Sequence, residues 1–126
     1  MKLFVIVGII RAFIVAASPV VAAADSASNS AVTCSNDADC HSKWLRAELW
    51  VRTHSHWPMK TVTEMLIETE RQRFRNYSHL YYRITRETPD EQTVIWFEAG
   101  CLPSVHCDPD PVVARAAFKH FVRGDQ

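Results

Sequence analysis

The four cysteines constrain this chain more than any other feature. They form two equally spaced pairs, Cys34-x5-Cys40 and Cys101-x5-Cys107, within 126 residues. Four cysteines in so short a chain, behind an apolar N-terminus, are typical of an exported, disulfide-bonded domain. Neither spacing matches the C-x2-C pairs of zinc ribbons or the C-x-x-C of thiol oxidoreductases. The pattern therefore predicts structural disulfides.

Three pairings of the four cysteines are possible. Thiols that are close in sequence meet most often during oxidation, which favours Cys34 with Cys40 and Cys101 with Cys107. Each such loop is expected to stabilise the fold by about 2 to 3 kcal/mol, and a long-range bridge by about 4 kcal/mol. Because stability alone favours the long-range bridges, they are the alternative to the local pairing that we predict.

Residues 1–24 have the composition of an export signal. They contain two charged residues, Lys2 and Arg11, and end in Ala22-Ala23-Ala24, which fits the small-residue site of a signal peptidase. Arg11 divides the apolar run into parts far shorter than the roughly 20 residues of a membrane span. We predict cleavage before Asp25, a periplasmic or secreted protein, and no transmembrane span in the mature form. An uncleaved anchor is the alternative.

The rest of the chain is expected to be one domain. Residues 25–33 are mainly Ser, Ala and Asn, which predicts a flexible leader before a single α+β domain over residues 34–126. The whole chain carries 14 basic and 14 acidic residues. This balance argues against a nucleic-acid partner.

Two helices are predicted at the ends of this domain. The first extends to about Thr53, before Pro58. Its N-cap candidates are Ser35, Asn36, Asp37 and Asp39. Its apolar stripe comprises Cys40, Trp44, Ala47, Trp50 and Val51. The second is capped by Asp110, begins at Pro111 and ends at Gly124. Its apolar stripe comprises Ala114, Ala117, Phe118, Phe121 and Val122.

Three strands are predicted between the helices, over residues 60–69, 78–86 and 93–99. In the second strand, alternation points Leu80, Tyr82 and Ile84 to the core and Tyr81 and Arg83 outward. The third is apolar on both faces, which indicates a central or well-covered strand. The predicted fold is therefore α-β-β-β-α, a three-stranded antiparallel meander flanked by the N-terminal and C-terminal helices.

One loop is a candidate anion-binding site. It lies between the first two predicted strands and comprises Arg71, Arg73, Phe74 and Arg75. Guanidinium groups pair with phosphates, sulfates or lipid head groups, and the ring can pack on an apolar part of the ligand. The alternative is a solvated loop whose charge is balanced by Glu68 and Glu70.

Histidine is the remaining metal-ligand type, and His54 and His56 are weak candidates for zinc or copper. Surface or partly packed side chains are the alternative, and no cofactor is predicted. Among the four tryptophans, only Trp57, before Pro58, is a candidate for exposure.

No catalytic motif is present: the sequence lacks G-x-S-x-G, a P-loop, G-x-G-x-x-G and H-E-x-x-H. Glu64 and Glu68 are predicted on one side of a strand, where they can act as an acid and base pair. Exposed cross-strand pairing with Arg83 or Arg86 is the alternative.

Several motifs are spread over most of the mature chain: Cys34-x5-Cys40, Lys43-Trp44, Ala47, Trp50-Val51, Ile67-Glu68-Thr69, Cys101, Cys107-x-Pro109 and residues 118–122. In this arrangement the chain resembles a group of small exported proteobacterial proteins of uncharacterised function. The resemblance implies a periplasmic location, and its motifs are structural in kind.

These features together predict a small, non-enzymatic binding or interaction module of the cell envelope. Its partner is expected to be an envelope component or an anionic ligand. A small exported hydrolase-like enzyme and a histidine-based metal-binding protein are the alternatives from other functional classes.

Overall fold

The computed structural model describes residues 30–71, 78–102 and 106–125. Its elements are β1 (Ala31–Thr33), α1 (Asp37–His54), β2 (Met59–Val62), β3 (Leu66–Thr69), β4 (Tyr81–Glu87), β5 (Val94–Gly100) and α2 (Pro111–Arg123). A short 3-10 turn, Pro89–Glu91, joins β4 to β5. Over the described residues the strands form one antiparallel sheet in the order β1-β5-β4-β3-β2. The fold is α+β with two helices, as predicted, but the three-stranded meander is wrong.

The first extra strand comes from the predicted flexible leader. Ala31–Thr33 pairs antiparallel with β5, where Val32 lies opposite Ile95, and Val32 is 1% exposed. Two consecutive β-branched residues suit this position at the sheet edge. The Lys43 ammonium also donates a hydrogen bond to the Thr33 carbonyl at 2.9 Å. The leader prediction is therefore wrong for residues 31–33, while residues 1–29 lie outside the described part of the chain.

The second extra strand arises because the predicted strand over residues 60–69 is a hairpin of β2 and β3. Its turn is organised by Thr63, whose backbone N–H donates to the Leu66 carbonyl at 2.8 Å. The Thr63 hydroxyl oxygen accepts from the N–H groups of Met65 at 3.2 Å and Leu66 at 3.0 Å. A threonine side chain thus forms a turn inside a run of strand-forming residues.

The core lies between the two helices and one face of the sheet. The five residues predicted for the buried stripe of α1 are all buried. The Trp50 ring meets the rings of Tyr82, Phe97 and Phe118 edge-on, with centroid distances of 5.3, 6.0 and 5.4 Å. It therefore connects α1, β4, β5 and α2.

The buried stripe of α2 is narrower than predicted. Ala114, Phe118 and Val122 are buried, whereas Ala117 and Phe121 are exposed. The buried residues recur every fourth position, so the helix contacts the core along one line. Its predicted ends are confirmed: Asp110 accepts a hydrogen bond from the Val112 N–H, and Gly124 is left-handed with φ 74°.

Both disulfides are local: Cys34 bonds Cys40, and Cys101 bonds Cys107. They lie at opposite ends of β5. Cys34 donates its backbone N–H to the Thr93 carbonyl just before this strand, and Cys101 directly follows it. Each bridge therefore joins a strand end to the segment that begins a helix. Within the described ranges, neither helix is long and apolar enough to cross a membrane.

Candidate functional site

The outer face of the sheet, which points away from the core, carries a row of charged residues. Ile67, Ile84 and Phe97 point into the core, so their neighbours along each strand point outward. Glu68 lies opposite Arg83, which lies opposite Glu98, so the row crosses β3, β4 and β5. Both described helices pack on the other face.

Glu68 is the centre of an ion-pair network in this row. Its carboxylate lies 3.5 Å from the Lys60 ammonium and 3.6 Å from the Arg83 guanidinium. Glu64, the other half of the predicted acid and base pair, lies in the exposed turn between β2 and β3. The prediction that both glutamates share a strand side is therefore wrong. Glu68 instead pairs with Arg83 on the neighbouring strand, which is the alternative predicted from the sequence.

Arg71 stands beside this row in a cluster of four residues, Arg71, Tyr81, Glu98 and Gly100, which we call the Arg71 cluster. The Arg71 guanidinium carbon lies 3.9 Å from the centroid of the Tyr81 ring, in a cation–π contact. One guanidinium nitrogen is 4.0 Å from a Glu98 carboxylate oxygen. At this distance the two charged groups form an ion pair, but they are too far apart for a hydrogen bond.

Gly100 explains how the Tyr81 ring reaches its position. The two residues lie directly opposite each other on β5 and β4. A Cβ atom at Gly100 would lie 3.0 Å from the Tyr81 hydroxyl oxygen and 3.1 Å from its ring carbons. The ring therefore covers a strand position that has no side chain, and the guanidinium stacks on top of the ring.

Only one residue of the predicted anion-binding loop lies within the described part of the chain. That residue is Arg71, whose side chain is 51% exposed. Arg73, Phe74 and Arg75 lie outside the described residues. The structure thus adds aromatic and acidic partners to Arg71 that the loop sequence does not contain.

A second row on the outer face is mainly apolar. It consists of Leu66, Thr85, Trp96 and Ala31, each opposite the next across the sheet. Trp96 is half-buried, and its indole Nε1 is buried without an acceptor among the described residues. Buried donors in proteins nearly always have a partner, so this N–H is an exception within the described part of the chain. Because the nitrogen is closed off from solvent, the ring contributes apolar surface to the outer face and no accessible donor.

Trp57 is not the exposed tryptophan that the sequence predicts. It is half-buried, and its indole Nε1 donates to the His79 carbonyl at 3.3 Å. Its ring also meets the His56 ring edge-on at 5.0 Å. The side chain is therefore part of the packing between the end of α1 and the start of β4.

The two candidate metal ligands make different contacts. The His54 ring stacks on Trp50 at 4.1 Å, and its Nδ1 lies 2.8 Å from the Trp50 carbonyl oxygen. The His56 ring stacks on His79 at 3.8 Å. In residues 30–71, 78–102 and 106–125, no group of three or more His, Cys, Asp or Glu residues is placed to hold a metal ion.

No protein-family model, curated protein or solved structure matches this chain. The chemistry of the site is therefore inferred from its own residues. A half-exposed guanidinium supported by an aromatic ring is suited to planar, two-pronged contacts with sulfate, carboxylate or phosphate oxygens. Sequence reasoning found Arg71 and placed Tyr81 outward, but it missed Gly100 and Glu98, because only the strand register brings them to Arg71.

Proposed function

We propose that the protein is an exported, non-enzymatic binding module whose outer sheet face binds an anionic glycan. One observation carries the proposal: Arg71 is held over Tyr81 on a sheet face that no described helix covers. The guanidinium supplies charge for a sulfate or carboxylate group. The half-buried rings of Tyr81 and Trp96 supply apolar surface of the kind on which sugar rings pack.

Export is supported by the chemistry of the cysteines. All four are in disulfides, which form and persist mainly outside the reducing cytosol. The signal-like composition of residues 1–24 and the resemblance to exported proteobacterial proteins point the same way. A small disulfide-bonded domain with a ring-supported guanidinium on an uncovered sheet face is suited to binding.

A titration of the 15N-labelled protein with a short heparin fragment tests the proposal by NMR. We expect shifts at Tyr81, Gly100 and the Trp96 indole, while the Trp44 indole, bonded to the Thr63 carbonyl at 3.1 Å, stays unchanged. Arg71→Ser should weaken binding by roughly 10-fold or more, because a hydrogen bond to a charged group is worth about 1.5 to 3 kcal/mol.

Arg52→Ser is the matched control. Arg52 is 49% exposed and pairs with a glutamate, Glu48, at 3.0 Å, but it lies on α1. Its loss should leave heparin binding unchanged. Equal losses in the two variants, shifts confined to other surfaces, or no binding by the parent protein would each reject the outer sheet face as the site.

A further inference from the structure

Helix α2 presents a second surface, on the core side of the sheet. At the start of the helix, Val112 and Arg115 line the same pocket as Glu98 of the Arg71 cluster. Its buried stripe packs on the core, and most of its other side chains face solvent. The exposed apolar residues of this helix are Val112, Val113, Ala116, Ala117 and Phe121. Val112 and Val113 are 59% and 61% exposed, and Phe121 is 38% exposed. Three of the large exposed apolar side chains are thus concentrated on one short helix.

The same helix carries a stripe of positive charge. Arg115, Lys119 and Arg123 recur every fourth residue, so they lie along one side. No acidic residue stands between Pro111 and Arg123 within the helix, and Asp125, just after it, lines the same surface pocket as the stripe. Burial and then the nearby charges of Arg123 and Arg115 lower the pKa of Lys119. The stripe is therefore dense enough for its members to repel one another.

The helix is held firmly by the rest of the fold. The Phe118 ring packs against Trp50 and Phe97, with centroid distances of 5.4 and 4.7 Å. The Arg46 Nε donates to the Val122 carbonyl at 2.8 Å. The exposed apolar residues and the basic stripe, in which Arg115 and Lys119 are half-buried and Arg123 is exposed, are together called the α2 outer surface. They are therefore presented in a fixed arrangement without any local unfolding.

Exposed apolar side chains beside Lys and Arg are the pattern of helices that lie in the headgroup layer of an anionic membrane. Phosphate headgroups complement the basic stripe, and the acyl boundary accepts Val and Phe side chains. A fluid bilayer also fits the convex surface of a single helix, about 20 Å long, without needing a matching groove. We propose that the α2 outer surface docks the protein onto an anionic phospholipid bilayer.

Flotation of the exported protein with two kinds of vesicle tests this docking. One kind contains equal parts of phosphatidylglycerol and phosphatidylcholine, and the other contains phosphatidylcholine alone. We expect binding to the anionic vesicles only, and binding that weakens as salt is added. Lys119→Gln should lower the partition coefficient about fivefold, the effect of one basic residue near an anionic surface. Val113→Ser should lower it about tenfold, since the side chain leaves the acyl boundary.

Two control variants separate this surface from the outer sheet face. Lys60→Gln removes a lysine on the sheet side whose side chain is 56% exposed. Arg71→Ser removes the proposed glycan contact. Neither should change vesicle binding, whereas Lys119→Gln should leave the heparin-induced shifts at Tyr81 and Gly100 unchanged. Each proposal can therefore fail while the other stands. All variants lie at accessible positions, and unchanged thermal unfolding, measured by circular dichroism, checks that they fold.

Several results would overturn the docking proposal. Equal binding to both kinds of vesicle, the same loss in Lys60→Gln as in Lys119→Gln, or no binding to either kind would each exclude it. Concentration-dependent dimers that Val113→Ser abolishes, without vesicle binding, would assign the α2 outer surface to a second copy of the chain.

Discussion

Asp39 and Lys43 show how two side chains link three parts of the chain. The Asp39 carboxylate accepts from the Ser35 N–H at 2.8 Å and from the Lys43 ammonium at 2.8 Å. The same ammonium donates to the Thr33 carbonyl of β1. The next residue, Trp44, donates its indole N–H to the Thr63 carbonyl. The Lys43-Trp44 motif therefore has a structural role, because its two side chains hydrogen-bond α1 to β1 and to the β2–β3 turn.

The Asp39 carboxyl should make stability depend on pH in the acid range. The hydrogen bonds from Lys43 and then from Ser35 lower its pKa below the ordinary 3.8. A carboxyl whose folded pKa is depressed stabilises the fold above its unfolded pKa, about 3.9, and this contribution is lost as pH falls through the folded value. We expect NMR to show Asp39 titrating below pH 3.8.

Two variants check the origin of this effect. Asp39→Asn and Lys43→Gln should each flatten the fall in unfolding free energy below about pH 4, because each removes the same interaction. An Asp39 titration at or above pH 3.8 in the parent protein would contradict the assignment. So would a Lys43→Gln variant that leaves the Asp39 titration unchanged.

At the scale of elements, the last carbonyl groups of α2 accept hydrogen bonds from Gly124 and from a side chain of α1. The Gly124 N–H donates to the His120 and Phe121 carbonyls, and Arg46 donates to the Val122 carbonyl. Terminal carbonyls of a helix have no partner within the helix, so these donors satisfy groups that would otherwise be unpaired. A positive side chain there also complements the helix dipole.

Arg46→Met should destabilise the protein by about 1.5 to 3 kcal/mol. The variant keeps much of the apolar stem but removes a charged donor from a partly buried carbonyl. Urea unfolding measures the change. Arg52→Met is the control, because an exposed pair such as Arg52 with Glu48 is worth only about 0 to 1 kcal/mol. If the two variants lose the same stability, Arg46 does not hold α2 in the way described.

The ends of α2 and the buried face of α1 were predictable because their determinants are local, whereas the predicted α2 stripe wrongly included Ala117 and Phe121. The stripe of α1 follows from helical period, and Asp110, Pro111 and Gly124 mark the ends of α2 within a few residues. The number of strands could not be predicted from local features. β1 depends on β5, far away in sequence, and the β2–β3 turn uses a threonine hydroxyl instead of glycine, proline or asparagine.

The candidate site was predictable only in part for the same reason. Arg71 is visible in the sequence as the start of a basic run, and alternation places Tyr81 outward. Their contact depends on Gly100, which lies opposite Tyr81 through the register of β4 and β5. A single glycine at the end of a strand does not reveal which ring will cover it.

At the scale of the whole molecule, export is the prediction that every functional proposal shares. Intact-mass measurement should show that the exported protein begins at Asp25. Retention of residues 1–24 in a membrane fraction would indicate an uncleaved anchor.

Non-reducing peptide mapping should yield the Cys34–Cys40 and Cys101–Cys107 bridges. Peptides that join the first cysteine pair to the second would contradict the local bridges.

The pairing of β1 with β5 has a consequence for how the fold is completed during synthesis. Residues 31–33 emerge early but find their partners only when residues 94–96 have followed. Until then Val32 lacks the strand that buries it, whereas Cys34 and Cys40 lie only six residues apart and can be joined without β5 once the chain is in an oxidising compartment. Pairing of distant segments waits for the whole intervening chain. The edge of the sheet formed by β1 is therefore completed only after about half of the chain has followed it, whereas the Cys34–Cys40 bridge depends on a short local segment.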